Sequence, residues 1–156
     1  MYPTSILFVC LGNICRSPTA EAVMAKHAKK QGLDIRFDSA GVASYHIGSP
    51  PDERAITTGN QQGYDLSTLR ARQVQQHDFY DFDIIFAMDH NNLKDLQKIM
   101  PSDATAQVTM FDDVAVADPY YGDMSDFKSM FKHIEQVSHR WLDRWQQEVN
   151  HDRNNA

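Results

Sequence analysis

Short apolar runs alternate along the chain with longer amphipathic stretches. The first run, residues 5–9, is apolar without alternation, which is typical of a parallel strand covered on both faces. Weaker runs at residues 35–38, 82–88 and 107–111 predict three further strands. The small residues 39–41 should end the second strand.

Helices are predicted between these strands. Ser17 is a candidate N-cap, Pro18 suits the first helical position, and Gly32 should end this first helix. Two further helices are predicted over residues 52–62 and 92–100.

The C-terminal part of the chain has the clearest helical period. Its apolar residues recur in steps of three and four, which favours a face buried in the core over a ligand-binding face. These residues are Phe127, Met130, Phe131, Ile134, Val137, Trp141, Leu142 and Trp145. The polar residues 151–156 are predicted to form a frayed tail.

The alternation of strands and helices predicts an α/β fold with a parallel sheet and helices on both faces. The 156 residues fit one domain, over residues 1–150. In such open sheets ligands bind at the carboxyl ends of the strands, where the strand order reverses. Residues 10–17, between the first strand and the first helix, lie at such an end.

Composition restricts the classes of partner and compartment. The net charge is −6 without a long basic run, which argues against nucleic acid as a partner. Two cysteines do not make a disulfide framework, and neither a signal peptide nor a membrane-spanning run is found, so we expect a cytoplasmic protein without a membrane partner. The seven histidines show no metal-ligand spacing with the cysteines, so neither metal nor cofactor is expected.

Residues 10–17 combine a thiol, a glycine, an arginine and a hydroxyl in one strand-to-helix turn. Such a turn directs backbone N–H groups and a helix N-terminus at one point, which favours a bound phosphate. Cys10 would be the nucleophile as a thiolate, Arg16 would bind two phosphate oxygens, and Ser17 could assist the sulfur. Gly12 and Asn13 suit the tight backbone path. The alternative, a buried thiol beside a surface arginine, explains this combination less well.

With these motifs the sequence resembles the low-molecular-weight protein tyrosine phosphatases over nearly its whole length. That resemblance implies a flavodoxin-like three-layer sandwich, with a central four-stranded parallel sheet and about five helices. It also implies metal-free hydrolysis of phosphotyrosine, with Cys10 as nucleophile, Arg16 as phosphate clamp and Asp118 as general acid. The matching motifs are residues 8–18 with Glu21, 38–41, Gly48, 51–52, 54–55, 71–73, 82–83, 88–89 and 118–122.

Aromatic and apolar residues are expected to form the pocket walls. Leu11 and Ile14 lie inside the loop, and Tyr120 and Tyr121 adjoin Asp118. The resemblance adds Tyr45 as a wall residue, with an exposed loop aromatic as the alternative interpretation. Asp118 itself could be an ordinary turn aspartate. In the family, bacterial members that act on phosphoarginine tend to carry Thr in place of Ile14, which argues for tyrosine here.

Further residues are expected to support the loop. Ser39 and Asn13 resemble the family pair whose hydrogen bond stiffens the loop. Many members carry a histidine where this chain has Leu69, so we expect the bracing hydrogen bond of that histidine to be missing or supplied by another group. Arg72 is expected to be structural, and Asp89 to cap the following helix.

Cys15 has two interpretations. It is either a small buried hydrophobe or, as the family suggests, a resolving thiol that forms a disulfide with an oxidised Cys10. Two other functions stay open: an arsenate reductase of the same fold, and a non-catalytic phosphotyrosine-binding or redox-sensing module. The former needs later cysteines, which this chain lacks. The expected partner is a tyrosine-phosphorylated protein of unknown identity, with phosphate or vanadate as competitive ligands.

Overall fold

The computed structural model describes residues 2–155 and contains four strands and five helices within them. The elements run in the order β1 (Ser5–Cys10), α1 (Arg16–Lys30), β2 (Arg36–Gly41), α2 (Glu53–Gln62), α3 (Asp78–Asp81), β3 (Ile84–Ala87), α4 (His90–Ile99), β4 (Gln107–Met110) and α5 (Met124–Asn154).

The four strands form one parallel sheet in the order β2-β1-β3-β4. The chain first moves from β1 outward to β2 and then returns to the other side of β1 with β3. The strand order therefore reverses beside β1, and the carboxyl end of β1 is the position where ligands bind in such sheets. Cys10 is the last residue of that strand.

Helices cover both faces of the sheet. On one face, α1, α2 and α5 pack over inward side chains such as Phe8 and Phe86. On the other face, Leu7 and Val9 pack with Phe79 of α3 and Leu96 of α4. The six residues of β1 are all buried, as its unbroken apolar run predicted. The predicted α/β fold with a four-stranded parallel sheet and helices on both faces is confirmed.

The structure corrects several predicted boundaries. Helix α1 begins at Arg16 with Cys15 at its N-cap, so Ser17 lies inside the helix and does not cap it. Gly32 lies just beyond the last helical residue and terminates α1 as predicted. It has φ of +73°, and the Leu33 N–H donates to the Ala28 carbonyl. Strand β2 continues through Gly41 and does not end before residue 39. The short helix α3 was not predicted.

The C-terminal helix is longer than its apolar stripe. It starts at Met124, after a capping box formed by Asp123 and Asp126, and it continues to Asn154. Residues 151–154 of the predicted frayed tail are therefore helical, although exposed. Within residues 2–155, no helix combines the length and apolar character that crossing a membrane would require.

Candidate active site

The loop between β1 and α1 is held close to the end of β2. Backbone N–H groups of Val42 and Ala43 donate to the carbonyls of Cys10 and Leu11, at 3.0 and 2.9 Å. Asn13 has φ of +59°, the left-handed conformation that an asparagine tolerates. The loop also passes over Gly41, where a Cβ atom would lie 2.8 Å from the Leu11 carbonyl oxygen. A glycine is required there because the obstacle is backbone.

Ser17 contacts the sulfur of Cys10. The two atoms, Oγ and Sγ, are 3.0 Å apart, and both residues are buried. Asn13 Nδ2 donates to the same Oγ at 2.8 Å, so the serine proton is available to another acceptor. The acceptors in reach are the sulfur and, at the longer distance of 3.5 Å, the Ala40 carbonyl. The buried Ser17 hydroxyl therefore contacts the Cys10 sulfur and does not cap the helix.

Asn13 is braced from three sides. Its Nδ2 also donates to Ser39 Oγ at 2.9 Å, and its Oδ1 accepts from the Arg72 N–H at 3.0 Å. Ser39 in turn donates to Glu21 Oε1 at 2.7 Å. Burial, partly offset by the Ser39 hydrogen bond, raises the pKa of Glu21 to about 7. Leu69 stands at the position where many family members have a histidine. In this chain the hydrogen bonds above hold Asn13 without that histidine.

Arg16 is buried among three acceptors. Its Nη1 donates to Asp89 Oδ2 at 2.6 Å and to the Val116 carbonyl at 3.2 Å, and Nη2 lies 3.6 Å from Asp118 Oδ2. Burial alone would lower the pKa of the guanidinium, but its electrostatic interactions with Cys10, Asp118 and Asp89 and its hydrogen bond to Asp89 more than offset burial and raise the pKa. The guanidinium therefore stays charged, as a site for a dianion requires.

Asp118 lies on the segment between β4 and α5, far from the loop in sequence. Its side chain is 40% exposed, and its Oδ1 accepts from the Tyr120 N–H at 3.1 Å. The fold brings this carboxylate to the same cavity as Cys10 and Arg16. The Asp118 carboxylate therefore lies beside the Arg16 guanidinium at the cavity that the Cys10 loop lines.

The cavity has a volume of about 320 Å³. Charged and thiol groups line it together with a ring of apolar and aromatic side chains. Its lining comprises Cys10, Leu11, Gly12, Ile14, Cys15, Arg16, Tyr45, His46, Asp118, Tyr120 and Tyr121. The three predicted wall tyrosines therefore meet at its mouth, where Tyr45 is 73% and Tyr121 is 95% exposed. Their contact with substrate stays a prediction.

Cys15 and Cys10 are both free and buried. Burial raises the pKa of the Cys15 thiol strongly, and the negative charge of Asp52 adds to the effect. The Cys15 thiol is therefore protonated in the reduced protein.

Comparison with known proteins identifies a family for this chain. The family described as "Low molecular weight phosphotyrosine protein phosphatase" matches residues 5–155. The chain belongs to this family. The resemblance inferred from the motifs is confirmed, and with it the assignment to a family of hydrolases.

Relatives of the low molecular weight phosphatase family cover nearly the whole chain. A low molecular weight phosphotyrosine protein phosphatase of Saccharomyces cerevisiae is 37% identical over 150 residues, covering 88% of this chain and 92% of the yeast protein. The crystal structure of a protein tyrosine phosphatase from Entamoeba histolytica, with Hepes in its active site, has a TM-score of 0.86. It is 35% identical, covering 94% of this chain and 99% of that one.

One structural relative has a different named activity. The crystal structure of a Drosophila arginine phosphatase has a TM-score of 0.84 and 33% identity, covering 90% of this chain and 96% of that one. Family membership alone therefore does not decide the phosphorylated side chain.

The sequence predicts no role for one residue of the cavity, His46, or for one residue that contacts the cavity wall, Arg54. His46 lines the cavity, and its ring lies 3.0 Å from where a Cβ of Gly12 would be. Arg54 lies outside the cavity but contacts its wall at Tyr120. His46 stands in no local pattern that indicates this place. Arg54 lies in one of the matching family motifs, but that match predicts no role for it. Arg72, in contrast, has the expected structural position, between Asp38 and the buried Asp78.

Proposed function

We propose that the protein is a phosphatase that hydrolyses phosphotyrosine through a cysteinyl-phosphate intermediate. The observation that carries the proposal is the convergence of Cys10, Arg16 and Asp118 on one cavity, with Arg16 Nη2 only 3.6 Å from the Asp118 carboxylate. A nucleophile, a phosphate-binding cation and an acid are the groups that this reaction needs. Membership of the phosphotyrosine phosphatase family supports the same activity.

In the first step the Cys10 thiolate attacks phosphorus. An S–P bond forms while the P–O bond to the tyrosine breaks, and Asp118 gives its proton to the departing phenolate oxygen. Arg16 stays bound to the phosphoryl oxygens as their charge redistributes. The loop N–H groups and the start of α1 add partial positive charge at the same point.

In the second step water displaces the sulfur. Asp118, now a carboxylate, takes a proton from the water while the O–P bond forms and the S–P bond breaks. Ser17 is placed to donate to the departing thiolate, because its Oγ lies 3.0 Å from Sγ. Inorganic phosphate is released and Asp118 is protonated again for the next cycle.

The cavity walls favour an aromatic substrate. Tyr45, His46 and Tyr120 surround the mouth, and their ring centroids follow one another at 6.4 and 6.5 Å. Cys10, which carries the attacking sulfur, is buried with 3% exposure, so a phosphoserine side chain is too short to bring its phosphate there. Ile14 in the loop also favours tyrosine over phosphoarginine, the alternative that the Drosophila relative's activity raises. The natural substrate is a tyrosine-phosphorylated protein in the cytoplasm, a compartment that suits two reduced cysteines.

Hydrolysis of an aryl phosphate in the presence of EDTA tests the proposal. The parent protein should be active without metal, Cys10→Ser should be inactive, and phosphate or vanadate should inhibit competitively. A phosphotyrosine peptide should be a better substrate than phosphoserine or phosphoarginine peptides of the same sequence. Full activity of Cys10→Ser would contradict the mechanism, and preference for phosphoarginine would contradict the substrate class.

A further inference from the structure

Two residues at the start of α2 connect the two chain segments that build the cavity. The Asp52 N–H donates to the Ile14 carbonyl of the phosphate-binding loop at 2.8 Å. Arg54 Nη2 donates to the Tyr120 carbonyl at 3.0 Å, and its Nη1 donates to the Gly122 carbonyl at 3.2 Å. Asp52 and Arg54 therefore connect the loop that carries the nucleophile to the segment that carries Asp118.

The side chain of Arg54 is fixed in place. Asp52 accepts from its Nε at 3.0 Å and from its Nη2 at 2.9 Å, and the same carboxylate caps α2 through the Arg54 N–H. The guanidinium also lies over the rings of Phe127 and Tyr120, at 4.5 and 5.7 Å from their centroids. A guanidinium that is fixed on several sides is pre-organised to donate hydrogen bonds to backbone carbonyls.

These contacts reach the acid through one residue. Tyr120 accepts from Arg54 with its carbonyl and donates to Asp118 Oδ1 with its N–H. The Asp118 side chain is 40% exposed, so its position depends on the backbone of its own segment. Fixing Tyr120 therefore fixes the carboxylate relative to the nucleophile.

We propose that Arg54 is a positioning residue for the general acid, which it holds at the phosphate-binding loop through Asp52 and Tyr120. Arg54 does not line the cavity, so it acts on Asp118 rather than on the substrate. The proposal rests on the proposed phosphatase function, in which Asp118 protonates the leaving group.

Two substrates with different leaving groups distinguish a positioning role of Arg54 from a merely structural one. Phenolate is a poor leaving group and needs the acid, whereas 2,4-dinitrophenolate leaves without a proton. Arg54→Met keeps an unbranched side chain against Phe127 but loses the donors. We expect kcat/KM to fall about 10-fold to 100-fold with phenyl phosphate, because small misplacements of a catalytic group cost that much. With 2,4-dinitrophenyl phosphate kcat/KM should stay within about 2-fold of the parent.

Arg70→Met is the matched control. Arg70 is exposed and donates to the carbonyls of Ser67 and Leu69 in its own turn, so both substrates should be turned over as by the parent. In an Asp118→Asn background, Arg54→Met should change kcat/KM for phenyl phosphate by less than about 2-fold, because the group it positions is already gone. If Arg54→Met does not fold, Arg54→Lys serves instead and should show the same substrate difference in weaker form.

Equal losses with both substrates, no loss with either, or a full further loss in the Asp118→Asn background would overturn the positioning role. These results are distinguishable from failure of the phosphatase function itself. If Cys10→Ser is inactive while Arg54→Met affects both substrates equally, only the positioning proposal fails. If Cys10→Ser retains activity, the proposed function fails.

Discussion

Arg16 and Asp89 are joined by a charge-assisted hydrogen bond of 2.6 Å between Nη1 and Oδ2. The same carboxylate caps α4, since its Oδ1 accepts from the Asn92 N–H at 2.7 Å. The capping role was expected from the sequence, whereas the contact with Arg16 was not. One aspartate thus secures a helix terminus and the proposed phosphate clamp.

We expect Asp89→Ala to lower the free energy of unfolding by about 2 to 4 kcal/mol, since it removes a helix cap and leaves a buried guanidinium without its main counter-ion. Asp89→Asn keeps the cap, so it should be about 1 kcal/mol more stable than Asp89→Ala. Urea unfolding measures both differences.

Added phosphate should stabilise Asp89→Ala more than the parent protein, because the dianion restores a negative charge beside Arg16. Equal stabilisation of both proteins by phosphate would contradict this account.

Ser17→Ala removes the hydroxyl that faces the Cys10 sulfur. We expect kcat to fall about 10-fold to 100-fold, because a hydrogen bond to a charged group contributes about 1.5 to 3 kcal/mol. The loss should fall on breakdown of the intermediate, so rapid-quench experiments should show more enzyme trapped with covalent phosphate. Thr19→Val is the matched control, since Thr19 is a buried hydroxyl of the same helix that donates to the Cys15 carbonyl instead. An unchanged kcat in Ser17→Ala would show that the sulfur does not use this hydroxyl.

The sequence predicted the strands and most helices because their signals are local. An unbroken apolar run, the proline at position 18 and the glycine at position 32 each restrict the nearby backbone without help from the rest of the fold. The loop of residues 10–17 could be assigned to phosphate binding for the same reason.

Other parts of the site depend on tertiary structure. Ser17 suits a helix cap and a sulfur contact equally well, and only the start of α1 at Arg16 distinguishes them. His46 reaches the cavity, and Arg54 reaches the wall residue Tyr120, because the fold brings the loop after β2 and α2 to these places. Asp118 was assigned through family resemblance, since the sequence does not show that it lies beside Arg16.

Glu21 makes stability depend on pH. Its pKa rises from an ordinary value of 4.5 to about 7 on folding, mainly through burial. The folded state therefore binds the Glu21 proton more tightly than the unfolded state does. The resulting contribution to the free energy of unfolding is about 3 kcal/mol; it is fully present below about pH 4.5 and is lost as pH rises through 7. Glu21→Gln resembles the protonated form. It should therefore leave stability nearly unchanged at about pH 5 and raise it by up to about 3 kcal/mol at about pH 8.5.

Urea unfolding at the two pH values checks this prediction. Glu53→Gln is the control, because Glu53 is exposed and its substitution should have a small effect at both. If Glu21→Gln changes stability equally at both pH values, the carboxyl does not titrate between them.

Cys15 is predicted to protect Cys10 from irreversible oxidation. Peroxide oxidises the Cys10 thiolate to a sulfenic acid, and the Cys15 thiol then attacks that sulfur and releases water to form a disulfide. Dithiothreitol should therefore restore activity to the peroxide-treated parent but much less to Cys15→Ser. Residual activity before and after reduction is the measurement. Equal recovery in both proteins would assign Cys15 a packing role alone.

The covalent intermediate tests the central claim most directly. The protein is mixed with an excess of a phosphotyrosine peptide, quenched in acid within the first turnovers, digested, and mapped by mass spectrometry. The account predicts phosphate on the Cys10 peptide of the parent, attached to sulfur, and no covalent phosphate in Cys10→Ser. Turnover by the parent with no phosphate on Cys10, or with phosphate on another residue, would contradict it.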